Sequence, residues 1–441
     1  DHGEEIHDGN FCMDGLVYPD RTVHTGLLEY KNVYRPARVI SYNKESGELV
    51  LHNYMDFDDL KDYVKISYEL TQDGLVISKG ILPEFSVAPH GEGKTNLKIN
   101  VPENGKCYLK LIYHLKKELP LLDEDHILGF DEIEVSKEDT KCKLAEKWIS
   151  KTVVDSELQV NENDTQIHIK GREFAYTIDK RTALFTEMKF AGREYLNHPM
   201  ELNIWRAPTD NDMYIKSEWK KAHYDKAYTR AYTTEIVQGK HGVKITSHAS
   251  VVAETVQKIL DVTITWKIEA AGKIDADIAV TKDDEFPDLP RFGVRMFLDK
   301  KLSAARYFGM GPQESYCDKH QAASHGLYRA DVGDLHEDYI RPQENGSHYD
   351  CEYVELNNSR YGIVASAEKA FSFNASYYTQ EELEKKTHNY ELTESDSVVF
   401  CVDYALNGIG SNSCGPVVLE QYRFDDVLFR FQFTLIPYIK G

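Results

Sequence analysis

Six stretches of the sequence, in four groups, gather residue types able to do chemistry. The first, His2-Gly-Glu-Glu-Ile-His-Asp8, sets two histidines beside three acids, a composition able to ligate a transition metal. It has neither a His-x-x-x-His pair nor a Cys/His framework, so a solvated loop is the better reading. The second, Gly9-Asn-Phe-Cys-Met-Asp-Gly15, hems an apolar run with Gly and Asp, as where a strand turns sharply into a loop. Turns of that kind expose carbonyls, so the Phe11 carbonyl and the Asp14 carboxylate are candidates to share a hard cation, against an ordinary turn as the alternative.

The third group comprises Trp205-Arg-Ala-Pro-Thr-Asp-Asn-Asp212, Gly309-Met-Gly-Pro-Gln-Glu-Ser-Tyr316 and Arg341-Pro-Gln-Glu-Asn-Gly346. Each packs polar groups between strands, where they can satisfy one another or meet a sugar; a structural hydrogen-bond network is the favoured reading. The fourth is the polar loop Asn407-Gly-Ile-Gly-Ser-Asn-Ser-Cys-Gly-Pro416, which lacks the Lys-Ser or Lys-Thr of a phosphate loop and has no helix behind it. Held by strands on both sides, such a loop either reaches a neighbouring site or is an ordinary surface connection. No Gly-x-Ser-x-Gly elbow is present to carry a serine nucleophile.

The elements that must position these loops are strands. Alternating runs at Glu48–Tyr54, Val64–Leu70 and Cys107–Leu115, separated by turn signals, predict an immunoglobulin-like β-sandwich over residues 37–137. Charge replaces alternation across Ser136–Trp148, which reads as a linker or an extended crossing strand, and the linker is set at 138–155. Strand patterns return at 166–170, 174–178, 201–205, 259–268, 274–280, 292–298, 398–404 and 428–436, so that 156–441 is expected to form two large stacked sheets. Within that region only Thr379–Lys386 reads as helical, with Glu382 placed to answer a Thr379 cap.

Composition narrows the function classes. A formal charge of −21 spread along 441 residues opposes nucleic acid and anionic lipid, whereas neutral ligands such as sugars are not repelled. Seven cysteines without a CxxC pair fit reduced thiols in a cytoplasmic protein. No apolar run is long enough for a transmembrane helix, and the opening residues from Asp1 do not read as a natural start.

The run from Phe11 to Thr22, with His24 and Leu28-Glu-Tyr-Lys31, resembles the segment that closes the catalytic barrel in large family 2 β-galactosidases. Arg206–Asp212, Gly309–Tyr316, Glu344–Gly346, Thr387-His388 and Gly408–Cys414 follow in the order that family shows. The resemblance covers the whole chain and implies a mainly β fold: the end of a (β/α)₈ barrel at 1–36, an immunoglobulin-like sandwich at 37–137, and a large antiparallel β-supersandwich at 156–441. It implies retaining hydrolysis of terminal β-D-galactosides such as lactose by two glutamates upstream of Phe11, so that the chain alone is expected to be inactive. By the same resemblance Phe11 borders the galactose and, with Asp14, ligates Na⁺; the Mg²⁺ ligands of the family lie upstream. Cys414 takes the place of an indole on which the aglycone stacks in the best-known member, so weaker acceptor stacking is expected. The three polar clusters are implied to be structural, joining sandwich to barrel. The implied partners are the upstream catalytic half, the galactoside and further copies of the intact enzyme. The rival readings are a non-catalytic subunit complementing a separate catalytic chain and a free-standing sugar-binding module.

Overall fold

Alternation of apolar and polar side chains over short runs dictates sheets, and sheets dominate the computed structural model, which describes residues 15–137, 140–149 and 158–440. The chain divides into two compact units. One takes residues up to Lys143 together with 311–313 and 320–327; the other takes the remainder.

The first unit stacks two antiparallel sheets. Ala37–Tyr42, Glu48–Asn53 and Glu92–Asn96 make one; Leu75–Ile81, Val64–Gln72, Cys107–Leu115 and Ile127–Glu134, in that spatial order, make the other. Cys107–Leu115 buries alternate residues against Leu49, Leu51 and Leu70, as a strand with one face inward must. The hairpin turn at Asp73-Gly74 needs its glycine: φ is +80°, and a Cβ there would lie 2.2 Å from the Leu327 nitrogen.

A helix, Thr25–Val33, is capped by the His24 ring, which accepts from the Gly26 N–H. Its Glu29 carboxylate accepts from the Gln321 and Ala322 N–H groups at 2.8 Å each, and Asn32 donates to the Gln321 carbonyl while accepting from Phe130. His325 stacks flat on Tyr108, 4.2 Å between centroids, with its Nδ1 2.7 Å from Glu132. Residues 320–327 thus complete the first unit, the backbone of 321–322 meeting a helix nearly three hundred positions upstream.

The second unit pairs a five-stranded sheet with a twelve-stranded one around a single core. The main path of the large sheet runs from Leu196–Asn203 through Arg291–Asp299, Ser397–Leu406, Tyr361–Ser376, Leu428–Ile439, Ile274–Lys282, Leu260–Glu269 and Gly242–Val252 to Tyr228–Gln238. Trp266, fully buried, meets Phe185 and Phe433 edge-on and donates its indole N–H to the Ala183 carbonyl.

The mainly β expectation holds, with differences in detail. Helices occur at Lys143–Ile149, where a linker or an extended crossing was expected, and at Ile215–Lys221, beside the one anticipated over Thr379–Lys386, which spans Gln380–Lys385. The Thr379 hydroxyl caps the last of these by accepting from the Glu382 N–H at 3.1 Å. Among the described residues no helix is long and apolar enough to cross a membrane.

His348, on the strand Ser347–Asn357, is sealed between the rings of Tyr307 and Phe373, and its Nδ1 lies 3.2 Å from the Met310 carbonyl, to which it donates as the protonated nitrogen. Burial pushes its pKa down to about 4, only partly opposed by that carbonyl and by Glu314. Because the folded pKa is depressed below its unfolded value of 6.5, the unfolded state binds the extra proton first. The neutral ring's full contribution holds above pH 6.5 and is lost as pH falls toward 4, a loss on the order of 3 kcal/mol. Urea unfolding of the His348→Phe variant is expected to be less acid-sensitive across that window than the unsubstituted chain; equal slopes would rule out His348 as a source of the acid sensitivity.

Candidate functional site

The polar loop 407–416 leaves the buried strand Ser397–Leu406 with carbonyl and amide groups that the ladder no longer satisfies, and side chains of the same unit meet five of them. The guanidinium of Arg206, 0% exposed, donates to the Asn407 carbonyl at 2.5 Å and the Gly408 carbonyl at 3.1 Å. The same group forms a two-pronged bond to Asp212, 2.7 and 3.1 Å, and lies 5.3 Å from the Trp219 ring centroid. Burial alone disfavours the Arg206 charge, but Asp212 more than offsets it, so its pKa sits above the ordinary value.

The next peptide groups are held by Asp318, whose oxygens accept from the Ile409 and Gly410 N–H groups at 3.0 and 2.7 Å. Asn211 donates to the Gly410 carbonyl and accepts from the Ser413 hydroxyl at 2.9 Å. Two glycines make this approach possible. A Cβ on Gly408 would stand 2.7 Å from an Asp318 oxygen, and Gly410 has φ +60° with Val418 2.6 Å from where its Cβ would be. Beyond them the loop closes on itself, with the Gly415 N–H donating to the Ser411 carbonyl at 2.7 Å, and presents Cys414 exposed with a free thiol.

Behind this frame lies a second charged layer. Arg291, also fully buried, holds Asp403 at 2.5 Å and Glu344 at 3.3 Å. Burial pushes the carboxyls of Asp403 and Glu344 up, and the guanidiniums of Arg291 and, for Glu344, Arg206 pull them back. Glu314 accepts from Lys319 and from the Tyr339 hydroxyl at 2.5 Å each and from the Gly346 N–H at 2.8 Å. Burial raises its pKa, but these donors more than reverse that and leave it below the usual carboxylate range. Gly346, at φ +69°, would place a Cβ 2.4 Å from the Leu335 carbonyl.

Arg206–Asp212, 314–316 and 344–346 therefore form one hydrogen-bonded frame within the second unit, and the frame carries the 407–416 loop. Cys414 stands at its exposed tip. Phe11 and Asp14 lie outside the described residues, as do His2–Asp8. Among the described residues no cluster of three or more His, Cys, Asp or Glu is arranged to hold a metal ion. Asp318, Arg291 and Asp403 were not singled out from the sequence. A signal existed for Asp403, since an acid inside the apolar run Ser397–Leu406 demands a buried cation. Asp318 gives no local sign of a partner some ninety residues away.

The fold and frame define a large antiparallel sandwich that presents one rigidly based polar loop. Residues 170–435 match the family model described as β-galactosidase small chain, and 49–136 match that described as β-galactosidase, domain 4. The chain belongs to the β-galactosidase small chain family. A β-galactosidase of Actinobacillus pleuropneumoniae is 44% identical over 438 residues, 99% of this chain and 42% of that protein. Those of Staphylococcus xylosus and Kluyveromyces lactis are 32% and 27% identical, again over 99% of this chain and 43% and 40% of theirs. The chain thus spans about two fifths of the length of these relatives.

Removing the Arg206 charge leaves Asp212 buried and unpaired and two carbonyls unsatisfied, a loss of about 3–5 kcal/mol. Arg206→Met is expected to lower the urea midpoint accordingly and to open loop 407–416 to protease. A variant of unchanged midpoint and unchanged cleavage would show that the frame does not hold the loop.

Proposed function

We propose that this chain is the C-terminal part of a family 2 β-galactosidase, whose intact form hydrolyses terminal β-D-galactosides such as lactose with retention of configuration. The observation that carries the reading is identity of 44% along nearly the whole chain to a β-galactosidase more than twice its length. On this reading residues 1–36 close the catalytic (β/α)₈ barrel, 37–137 form an immunoglobulin-like sandwich, 138–155 link, and 156–441 form the supersandwich. The acid/base and nucleophile glutamates, with the Mg²⁺ ligands, belong to the region upstream of Phe11.

This part then supplies the rim of the active site and surfaces for assembly into a cytoplasmic oligomer. Phe11 borders the galactose, and its carbonyl and the Asp14 carboxylate ligate Na⁺, whose hard character suits both oxygens. Cys414 faces the aglycone from the tip of the 407–416 loop. Its thiol presents a smaller face than an indole, which favours loose acceptor binding and easy release of glucose. The frame around Arg206 fixes where that tip stands, a positioning role rather than a catalytic one.

A second reading draws on the description of the matched family as a small chain: a separate subunit that completes a catalytic partner. Both readings expect the purified 441-residue chain to leave a chromogenic β-galactoside intact, and activity from the chain alone would overturn both. Co-expression with the upstream catalytic region as a separate chain decides between them: restored hydrolysis supports the subunit reading, whereas activity only when the two are covalently joined supports the single-chain one.

In the active, completed enzyme, Cys414→Trp is expected to lower the KM for added glucose as acceptor several-fold, equivalent to about 1 kcal/mol of stacking, with kcat for a nitrophenyl galactoside little changed. An unaltered acceptor KM would remove Cys414 from the site.

A further inference from the structure

The large sheet forks. Tyr361–Ser376 pairs through 361–366 with Leu428–Ile439 and through 372–376 with Ser397–Leu406, and between these stretches its neighbours part. Beyond the fork, Leu428–Phe433 is laddered only to Ile274–Lys282, and Tyr404–Leu406 only to Arg291–Asp299. A groove of about 490 Å³ occupies the opening, banked by Tyr404–Leu406 on one side and Arg430–Gln432 on the other, with Glu368–Ser372 at its closed end. That volume falls within the roughly 300–1,000 Å³ of small-ligand sites.

Its lining is specific in two respects. Three tyrosines, Tyr349, Tyr404 and Tyr422, line it while only half-buried, and Tyr404 is braced from behind by Phe429, stacked 4.8 Å away at 16°. A braced ring loses little freedom when a flat apolar face covers it. The charged side chains in the lining nearly balance: Asp350, Glu368 and Asp426 against Lys369, Arg423 and an Arg430 that is also paired with Asp277, in a chain whose overall charge is −21. The lining is thus far closer to neutral than the chain as a whole, which suits an uncharged ligand. Exposed Gln421 adds an amide, and exposed Gln432, whose Nε2 donates to Asp277 at 3.1 Å, adds its carbonyl oxygen as an acceptor.

We propose that this groove is a saccharide site, separate from the tip of the 407–416 loop, which takes a neutral hexopyranoside with its apolar ring face against a tyrosine and its hydroxyls against the glutamines and carboxylates. A pyranoside has one face of C–H groups and an equator of hydroxyls, which is the pattern of aromatic wall and polar rim found here. The groove adjoins the base of the loop, because the Tyr422 carbonyl accepts from the Gly408 N–H at 2.8 Å while the Tyr422 side chain lines the groove. Its occupancy does not require the upstream catalytic region.

The test is saturation-transfer NMR on the 441-residue chain with methyl β-D-galactopyranoside and methyl β-D-glucopyranoside as probes. Saturable binding in the millimolar range is expected for at least one of them. Tyr422→Ala and the exposed Gln432→Ala are expected to weaken it on the order of fivefold, as for loss of one stacked or bonded contact, while Tyr422→Phe and Cys414→Ala leave it unchanged. Circular dichroism identifies any variant that fails to fold, and Gln432→Ala then carries the test. Absence of saturable transfer for both probes overturns the proposal. So does binding that Cys414→Ala abolishes and the groove variants spare, since the sugar would then sit at the loop tip and support the active-site reading instead.

Discussion

Two guanidinium groups with no solvent exposure, Arg206 and Arg291, set the geometry on which the presented loop depends. Taking such a charge out of water costs several kcal/mol, and its carboxylate partners return that only when every donor is used. Arg206 uses Nε, Nη1 and Nη2 on Asp212, Asn407 and Gly408; Arg291 uses the same atoms on Asp403 and Glu344. The pairs contribute little net stability compared with an apolar core. What they contribute is uniqueness, because any shift of the 407–408 backbone leaves a charge or a carbonyl unpaired in a medium that penalises it.

That constraint propagates outward through glycines. Where an oxygen must approach the backbone closely no Cβ fits: Gly408 admits the Asp318 carboxylate, and Gly346 the Leu335 carbonyl. Gly410 answers a different need, a left-handed turn that sends the chain toward Ser411. Ile409, between two of these glycines, has its N–H taken by Asp318. The base of the loop is therefore over-determined, while its distal part, from Ser411 to Pro416, is tied mainly by its own short turn and by Ser413 to Asn211. Rigidity and adjustability are divided within ten residues.

Much of the fold was legible because sheets with one wet face write themselves as alternation: Cys107–Leu115 and Gln166–Lys170 were read with the bounds that the structure has. Ser347–Asn357 and Tyr361–Ser376 were not, since both are buried on both faces over much of their length and carry little period-2 signal. Tyr228–Gln238 failed for the opposite reason, being a mostly exposed edge. The return of 320–327 to the first unit has no local signature, because Glu29 and Asn32 look like ordinary helix-surface residues until their partners are known. At the site, the polar clusters were legible as networks, but pairings such as Asp318 with Ile409 join positions that only the fold brings together.

The division between fixed base and freer tip bears on where a scaffold of this kind can vary. A residue at the tip such as Cys414 is exposed, and its side chain takes part in none of the bonds that hold the frame. Exchanging it for a larger or smaller group therefore alters what the loop tip presents without touching Arg206, Asp318 or the glycines. The reverse does not hold, since a change at Arg206 moves everything the loop carries. Substitution is thus free at position 414 and constrained at 206, 318, 408 and 410, because in the first case only exposed contacts change, whereas in the others a desolvated charge or a forbidden Cβ must be accommodated.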